Sequence, residues 1–210
     1  MVPFQSPAEK TTGDLVLSAF CSDGTQHLLL GDFTGHGLPA AIGGPIVADI
    51  FYTMTRKNLP MPEIVSEINE RLYEKTPAEV FLAAGFLALD PSRSQLTVWN
   101  CGIPDILVFR RGICQQRVSS TLFARGVVSC PDDPGVSLDV EPGDRVFACS
   151  DGLVEEHNAV GTLFGQENLE RLIILMLATN EPMEWIQKRV GHYRANHAQT
   201  DDMTMVEMIC

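Results

Sequence analysis

The sequence predicts an α+β sandwich, and two observations carry that reading. Helical segments come in pairs, and the strand-like runs form meanders joined by short turns, which suits antiparallel sheets better than a parallel sheet with single crossover helices. The 210 residues, 45% hydrophobic and 20% charged, can bury a substantial core as one domain. No repeat, low-complexity segment or long linker divides the chain.

In chain order, residues 15–20 and 27–30 read as strands, with Leu28, Leu29 and Leu30 running into Gly31 as a buried strand end. Gly35 and Gly37 permit sharp bends, and Leu38-Pro39-Ala40-Ala41 opens a helix over 39–52 with proline in its first turn. Within that helix, Gly43-Gly44-Pro45 marks either a point where it starts or bends, or a tight packing contact. Alanine at either glycine is expected to alter activity more than stability. A second helix covers 62–75, where Ile64, Val65, Ile68 and Leu72 share one stripe and glutamates take the other faces.

The runs "VFLAAGFLALD", "QLTVWN" and "DILVFRRG" are short strands, joined by turns at Asp90-Pro91-Ser92 and Ile103-Pro104. After an irregular stretch around "SCPDDPG", Glu141-Pro142-Gly143-Asp144 turns into the strand "RVFACS". Helices over 166–178 and 183–192 follow, and "MTMVEMI" closes the chain as an alternating strand.

A formal net charge of −12 argues against an electropositive track for nucleic acid or an anionic bilayer, and favours a metal cation or a basic protein surface as partner. No apolar run approaches the roughly 18 residues of a membrane span, and "MVPFQSPAEK" lacks the features of a signal peptide, so a cytoplasmic chain is expected. Cysteines at 21, 101, 114, 130, 149 and 210 form no CxxC pair and read as reduced core thiols. His192 and His197, five apart, fit no zinc-ligand spacing.

More informative are the aspartates. Asp14 precedes a strand, Asp32 ends one, Asp151 ends another, and Asp201 and Asp202 precede the last. Each alone is an ordinary turn residue beside a strand. Together they are the oxygen-rich set that Mg²⁺ and Mn²⁺ prefer, and their mutual repulsion would oppose clustering unless a cation lay among them. Spacing by itself leaves their convergence open.

Five ordered motifs then carry a resemblance. "GDFTGHGLPAA" resembles the GDxSGHG signature of the SpoIIE-type branch of the PPM family, the metal-dependent serine/threonine protein phosphatases. "SPAEKTTGDLVLS" is similar to that branch's PAxxxGGD opening, "NCGIPDILVFRRG" to its NAGHPP strand pair, "EPGDRVFACSDGLVEEHNAVGTLFG" to PGDxLxLYTDGxxEAxN…FG, and "TDDMTMVEM" to its terminal DDxT strand. The match covers nearly the whole chain. It implies a four-layer α-β-β-α sandwich, two antiparallel sheets flanked by helix pairs, with a binuclear Mn²⁺ or Mg²⁺ centre at one edge.

Carried over residue by residue, the resemblance implies that Asp32 bridges two metals and the backbone carbonyl of Phe33 binds one. Asp151 and Asp201 hold the other, and Asp14 acts mainly through water. Asp202 is a turn or supporting group. Catalysis would then run through Asp32, Asp151 and Asp201 by way of a metal-activated water that attacks phosphorus in line, with no phospho-enzyme. His36 carries two readings, bracing the tight Gly35–Gly37 bend or touching the water or leaving oxygen. Asn100 likewise either belongs to the site or caps a strand-end turn.

Three departures from the family pattern stand out. Thr12-Gly13-Asp14 replaces Gly-Gly-Asp and is followed by "LVLS", Ile103 stands where His is frequent, and the leading helix and strand of the family domain are expected to be absent. The chain thus reads as one phosphatase domain over 1–210, excised from a longer protein, with a response-regulator output domain as its implied context. The resemblance implies a phosphoserine or phosphothreonine phosphatase acting on a phosphoprotein, a STAS-type anti-sigma-factor antagonist by analogy. It also implies an upstream receiver or sensory domain and a homodimer. The rival readings are a pseudophosphatase that acts as a protein-binding adaptor, and an enzyme on small phosphomonoesters.

Overall fold

The computed structural model describes residues 2–7, 12–34, 38–77, 79–128, 133–195, 198–199 and 201–210. Ten strands and four helices occur among them, in the order β1 (Val2–Ser6), β2 (Asp14–Phe20), β3 (Gln26–Phe33), α1 (Leu38–Arg56), α2 (Met61–Lys75), β4 (Leu82–Leu89), β5 (Gln95–Cys101), β6 (Ile106–Arg110), β7 (Ile113–Val118), β8 (Val136–Asp139), β9 (Arg145–Cys149), α3 (Gly165–Thr179), α4 (Glu184–Arg194) and β10 (Met203–Ile209). One sheet has the order β2-β3-β4-β5-β8 and the other β1-β10-β9-β6-β7. Every strand pairing is antiparallel.

Strand alternation divides the core into three apolar layers. On β3, Leu29 faces α1 and α2 together with Phe51, Ile64, Ile68 and Leu72. Its neighbours Leu28 and Leu30 point the other way, into the layer between the sheets, where they meet Val108, Val146 and Val206. Beyond the second sheet, Phe109, Phe147 and Met205 pack on Leu169, Ile173, Ile186 and Val190 of α3 and α4. The fold is therefore the expected α-β-β-α sandwich. Burial on both faces explains why Leu28, Leu29 and Leu30 follow one another without alternation.

Helix α2 buries the predicted stripe Ile64, Val65, Ile68 and Leu72, and Met61 and Asn69 extend it. Its start is set by prolines at its N-terminus and its first turn carries Glu63, which suits the positive end of the helix dipole. Helix α1 neither starts nor ends at Gly43-Gly44-Pro45 but runs through them to Arg56, four residues past the predicted end.

Three strands escaped the sequence reading, and all lie at sheet edges. β7 buries only Val118 fully, and β8 only Leu138, so neither shows the alternation of a half-buried strand. The link from β6 to β7 is a two-residue turn in which Arg111 and Gly112 both have positive φ, 53° and 78°, the geometry that suits a tight hairpin. β1, ahead of the first motif, pairs with β10 and buries Phe4.

The two helical glycines differ in surroundings. A methyl group on Gly43 would overlap the Phe33 ring, itself buried, whereas one on Gly44 would meet open space. Gly43 is thus a packing contact between α1 and the end of β3. Gly43→Ala is expected to destabilise the fold by about 1–3 kcal/mol through overpacking, against the sequence expectation of a mainly functional effect. Gly44→Ala should instead gain about 0.5–1 kcal/mol from helix propensity. Chemical denaturation of the two variants checks both.

Candidate active site

The register of β2 against β3 sets Asp14 directly opposite Asp32. On the other sheet, β9 pairs with β10, so the segment leaving β9 at Asp151 runs beside the segment entering β10 from Asp201 and Asp202. β10 also packs against β2, which brings the two pairs of strand ends to one edge of the sandwich.

Hydrogen bonds lace these segments together. The Gly13 N–H donates to Asp202 Oδ2 at 2.7 Å, and the Phe33 N–H to the Gly13 carbonyl at 3.2 Å. The Ser150 hydroxyl donates to Asp14 Oδ2 at 2.9 Å, and the Asp202 N–H to Asp201 Oδ1 at 2.8 Å. Gly152 lies so close to the Asp202 carbonyl that any side chain there would overlap it. The glycine of Asp151-Gly152 is thus required by close approach.

Asp14 is 6% exposed, Asp32 and Asp151 are half-buried, and Asp201 is open to solvent. Burial, reinforced by the charges of Asp14, Asp151 and Asp201, pushes Asp32 up to about 9. Asp151 is raised as well, by burial and by the charge of Asp201. Asp14 rises to about 6, again through burial first; the nearby Thr204 and Ser150 hydroxyls oppose the rise and the Asp202 and Asp201 charges add to it. The Thr204 hydroxyl has no hydrogen-bond partner among the described residues. The four carboxylates Asp14, Asp32, Asp151 and Asp201 therefore act on one another electrostatically, as convergence requires.

Two buried oxygens, Asp14 Oδ1 and Asp151 Oδ1, have no hydrogen-bond partner among the described residues. Unsatisfied carboxylate oxygens amid mutually repelling groups are what a hard cation would relieve, and the all-oxygen set fits Mg²⁺ or Mn²⁺. Among the described residues no three carboxylate, imidazole or thiolate side chains are already drawn into a metal cage. A cleft of about 300 Å³ adjoins the cluster, lined by Gly13, Asp14, Phe33, Gly44, Pro45 and Ala48.

Of the other residues singled out by sequence, Asp202 is a brace, as its bond to Gly13 shows. Asn100 is buried and donates to the carbonyls of Pro104 at 3.1 Å and Val118 at 2.9 Å, tying down the turn into β6. His36, Cys130 and His197 lie outside the described residues. Ser150 and Thr204 were missed. Each is adjacent or close to a predicted ligand, but only the pairing of β9 with β10 makes them neighbours.

The chain matches the family model of stage II sporulation protein E (SpoIIE) over residues 22–208. It belongs to the SpoIIE family. The curated relative IcfG of Synechocystis sp. is 20% identical over 95% of this chain, which spans only 36% of IcfG's length. Among solved structures, the SiaA-PP2C domain of Pseudomonas aeruginosa superposes with a TM-score of 0.84 at 20% identity, covering 100% of this chain and 85% of that one. The PP2C phosphatase domain of Bacillus subtilis SpoIIE, solved with a fragment of its regulatory domain, gives 0.82 at 19% identity, covering 99% and 62%. The fold is that of these PP2C domains.

The raised carboxyls make a pH prediction for this SpoIIE-family chain. The folded state keeps the Asp32 proton to about pH 9, while an unfolded aspartate releases its proton near 4. Between those values the folded state binds the extra proton, so stability falls as pH rises, with Asp14 adding the same sign up to about 6. At the acid end Asp144 acts oppositely: burial raises it, but the Arg110 bonds and charge, the Glu141 N–H and the Arg111 charge together hold it below the usual carboxylate range, so its contribution is lost as pH falls through its folded value. The metal-free chain should melt at a higher temperature near about pH 5 than near about pH 8. Asp32→Asn should flatten that difference, as calorimetry at the two pH values would show.

Proposed function

We propose that this chain is a Mn²⁺- or Mg²⁺-dependent protein phosphatase that hydrolyses phosphoserine or phosphothreonine. The observation that supports it most is the convergence of Asp14, Asp32, Asp151 and Asp201 with two buried carboxylate oxygens left unsatisfied. Two ions would be held by Asp32, the Phe33 carbonyl, Asp151 and Asp201, with Asp32 shared between them and Asp14 acting mainly through water. When bound, such ions lower the pKa of a water and neutralise phosphate oxygens, so in-line attack needs no side-chain nucleophile.

The chain's own residues agree with that division of labour. The Ser150 hydroxyl is fully buried and already bonded, and the thiols of Cys21, Cys114, Cys149 and Cys210 are all pushed up by burial, which leaves them poor nucleophiles. Burial and neighbouring charges raise Asp32 to about 9, so a cation held there would compete with its proton. His36 is assigned the role of bracing the GHG bend, with proton donation to the leaving oxygen as the alternative.

For the substrate we favour a phosphoprotein of the STAS-type anti-sigma-factor antagonist class, by family likeness. The net charge of −12 makes a free, highly anionic phosphomonoester a less comfortable substrate than a phosphorylated protein with a basic rim. Control by an upstream receiver or sensory module, with homodimerisation, completes the reading. The regulatory fragment solved beside the SpoIIE phosphatase domain supports it. No helix among the described residues is long and apolar enough to cross a membrane, and we assign the chain to the cytoplasm.

The test is Mn²⁺-dependent hydrolysis of an aryl phosphate by the intact chain and by Asp151→Asn. Turnover should require the ion and fall at least about 100-fold in the variant, at or beyond the upper end of what losing an outer-shell partner costs. Equal, metal-independent rates would turn the reading toward a pseudophosphatase adaptor.

A further inference from the structure

Ser150 sits where three segments meet and is fully buried. Its backbone N–H donates to the Thr204 carbonyl at 3.0 Å, and its hydroxyl oxygen accepts the Thr204 N–H at 2.9 Å. The hydroxyl proton goes to Asp14 Oδ2 at 2.9 Å, with the Asp202 carbonyl at 3.2 Å as the alternative acceptor. Asp14 is thereby gripped by one oxygen, while its other oxygen, Oδ1, is buried and has no hydrogen-bond partner among the described residues.

A carboxylate free at both oxygens can turn about its last torsion. A single buried donor on Oδ2 removes that freedom and leaves Oδ1 presented. The donor is itself fixed, because Ser150 is bonded at both its N–H and its Oγ to the backbone of β10. The grip on Asp14 is thus tied to the strand that follows Asp201 and Asp202, so ligands from the two sheets are held in one frame.

We propose that Ser150 is a positioning residue. It orients Asp14 so that Oδ1 faces a divalent cation or the water that cation carries, and it couples Asp14 to the Asp201–Asp202 segment. This rests on the metal-dependent reading above. A purely structural Ser150 would join β9 to β10 and affect unfolding alone, whereas a positioning Ser150 sets ion affinity through Asp14.

Mn²⁺ binding, measured by titration calorimetry on the folded chain, separates the two roles. Ser150→Ala should weaken Mn²⁺ binding about 10–100-fold, the usual cost of losing an outer-shell partner. Ser150→Thr, which keeps the hydroxyl, should bind within about threefold of the unaltered chain, a third of the smallest loss expected for alanine. In an Asp14→Asn background, Ser150→Ala should add little further loss, because the two act through one contact. Wild-type affinity in folded Ser150→Ala, or an undiminished loss in the Asp14→Asn background, would overturn the proposal. If Ser150→Ala does not fold, Ser150→Cys, similar in size but a weaker donor, is judged by the same outcomes. An unaltered chain that binds no Mn²⁺ would remove the metal-dependent reading itself, a failure distinct from that of a wild-type chain that binds and an alanine variant that binds equally.

Discussion

The antiparallel register of β2 on β3 places one carboxylate opposite another at the end of a sheet, and much of the molecule can be understood as what tolerates that placement. Two acidic groups side by side in a half-dry environment repel each other and lose hydration, each at a cost that short surface loops could not bear. Here they stand at the ends of strands whose middles are locked. β3 is buried on both faces between two apolar layers, and slipping it by one residue would turn Leu28 and Leu30 out of the inter-sheet core. The register that brings the charges together is therefore fixed by apolar side chains several residues away.

Polar groups from the second sheet then complete what the ladder begins. Asp202 takes the Gly13 N–H and Ser150 grips Asp14, so the β9 and β10 ends hold the start of β2 in place. Burial and neighbouring charges raise both Asp32 and Asp151, so protonation lowers the net charge of the cluster. Proton and cation are alternative answers to the same repulsion. The helical layer enters through Phe33, whose ring abuts Gly43 on α1 one residue beyond Asp32.

The electrostatics leave little scope for a reactive side chain among the described residues. Burial raises the thiols of Cys21, Cys114, Cys149 and Cys210, and the Ser150 hydroxyl beside the cluster is occupied by Asp14. What remains at that edge is an array of oxygens, suited to a hard cation and to activated water. Membership in the SpoIIE family and the PP2C fold agree with that chemistry.

By itself the sequence determined the strong elements and the identities of the acidic residues. The stripe of α2 and the leucine run of β3 survive as local patterns because burial imprints them, whereas β10, read as alternating, is buried on both faces from Met203 to Met208. The motifs around Asp14, Asp32, Asp151 and Asp201 were legible for the same reason, as short runs of fixed spacing. Edge strands β1, β7 and β8 were not, since a strand paired on one side and wet on the other shows little periodicity. The meaning of Gly43 and the grip of Ser150 on Asp14 were decided only by tertiary structure. Gly43 meets Phe33 across a helix–sheet contact, and Ser150 lies 136 residues from its partner. Contacts of that kind depend on how separate elements pack, which no local pattern records.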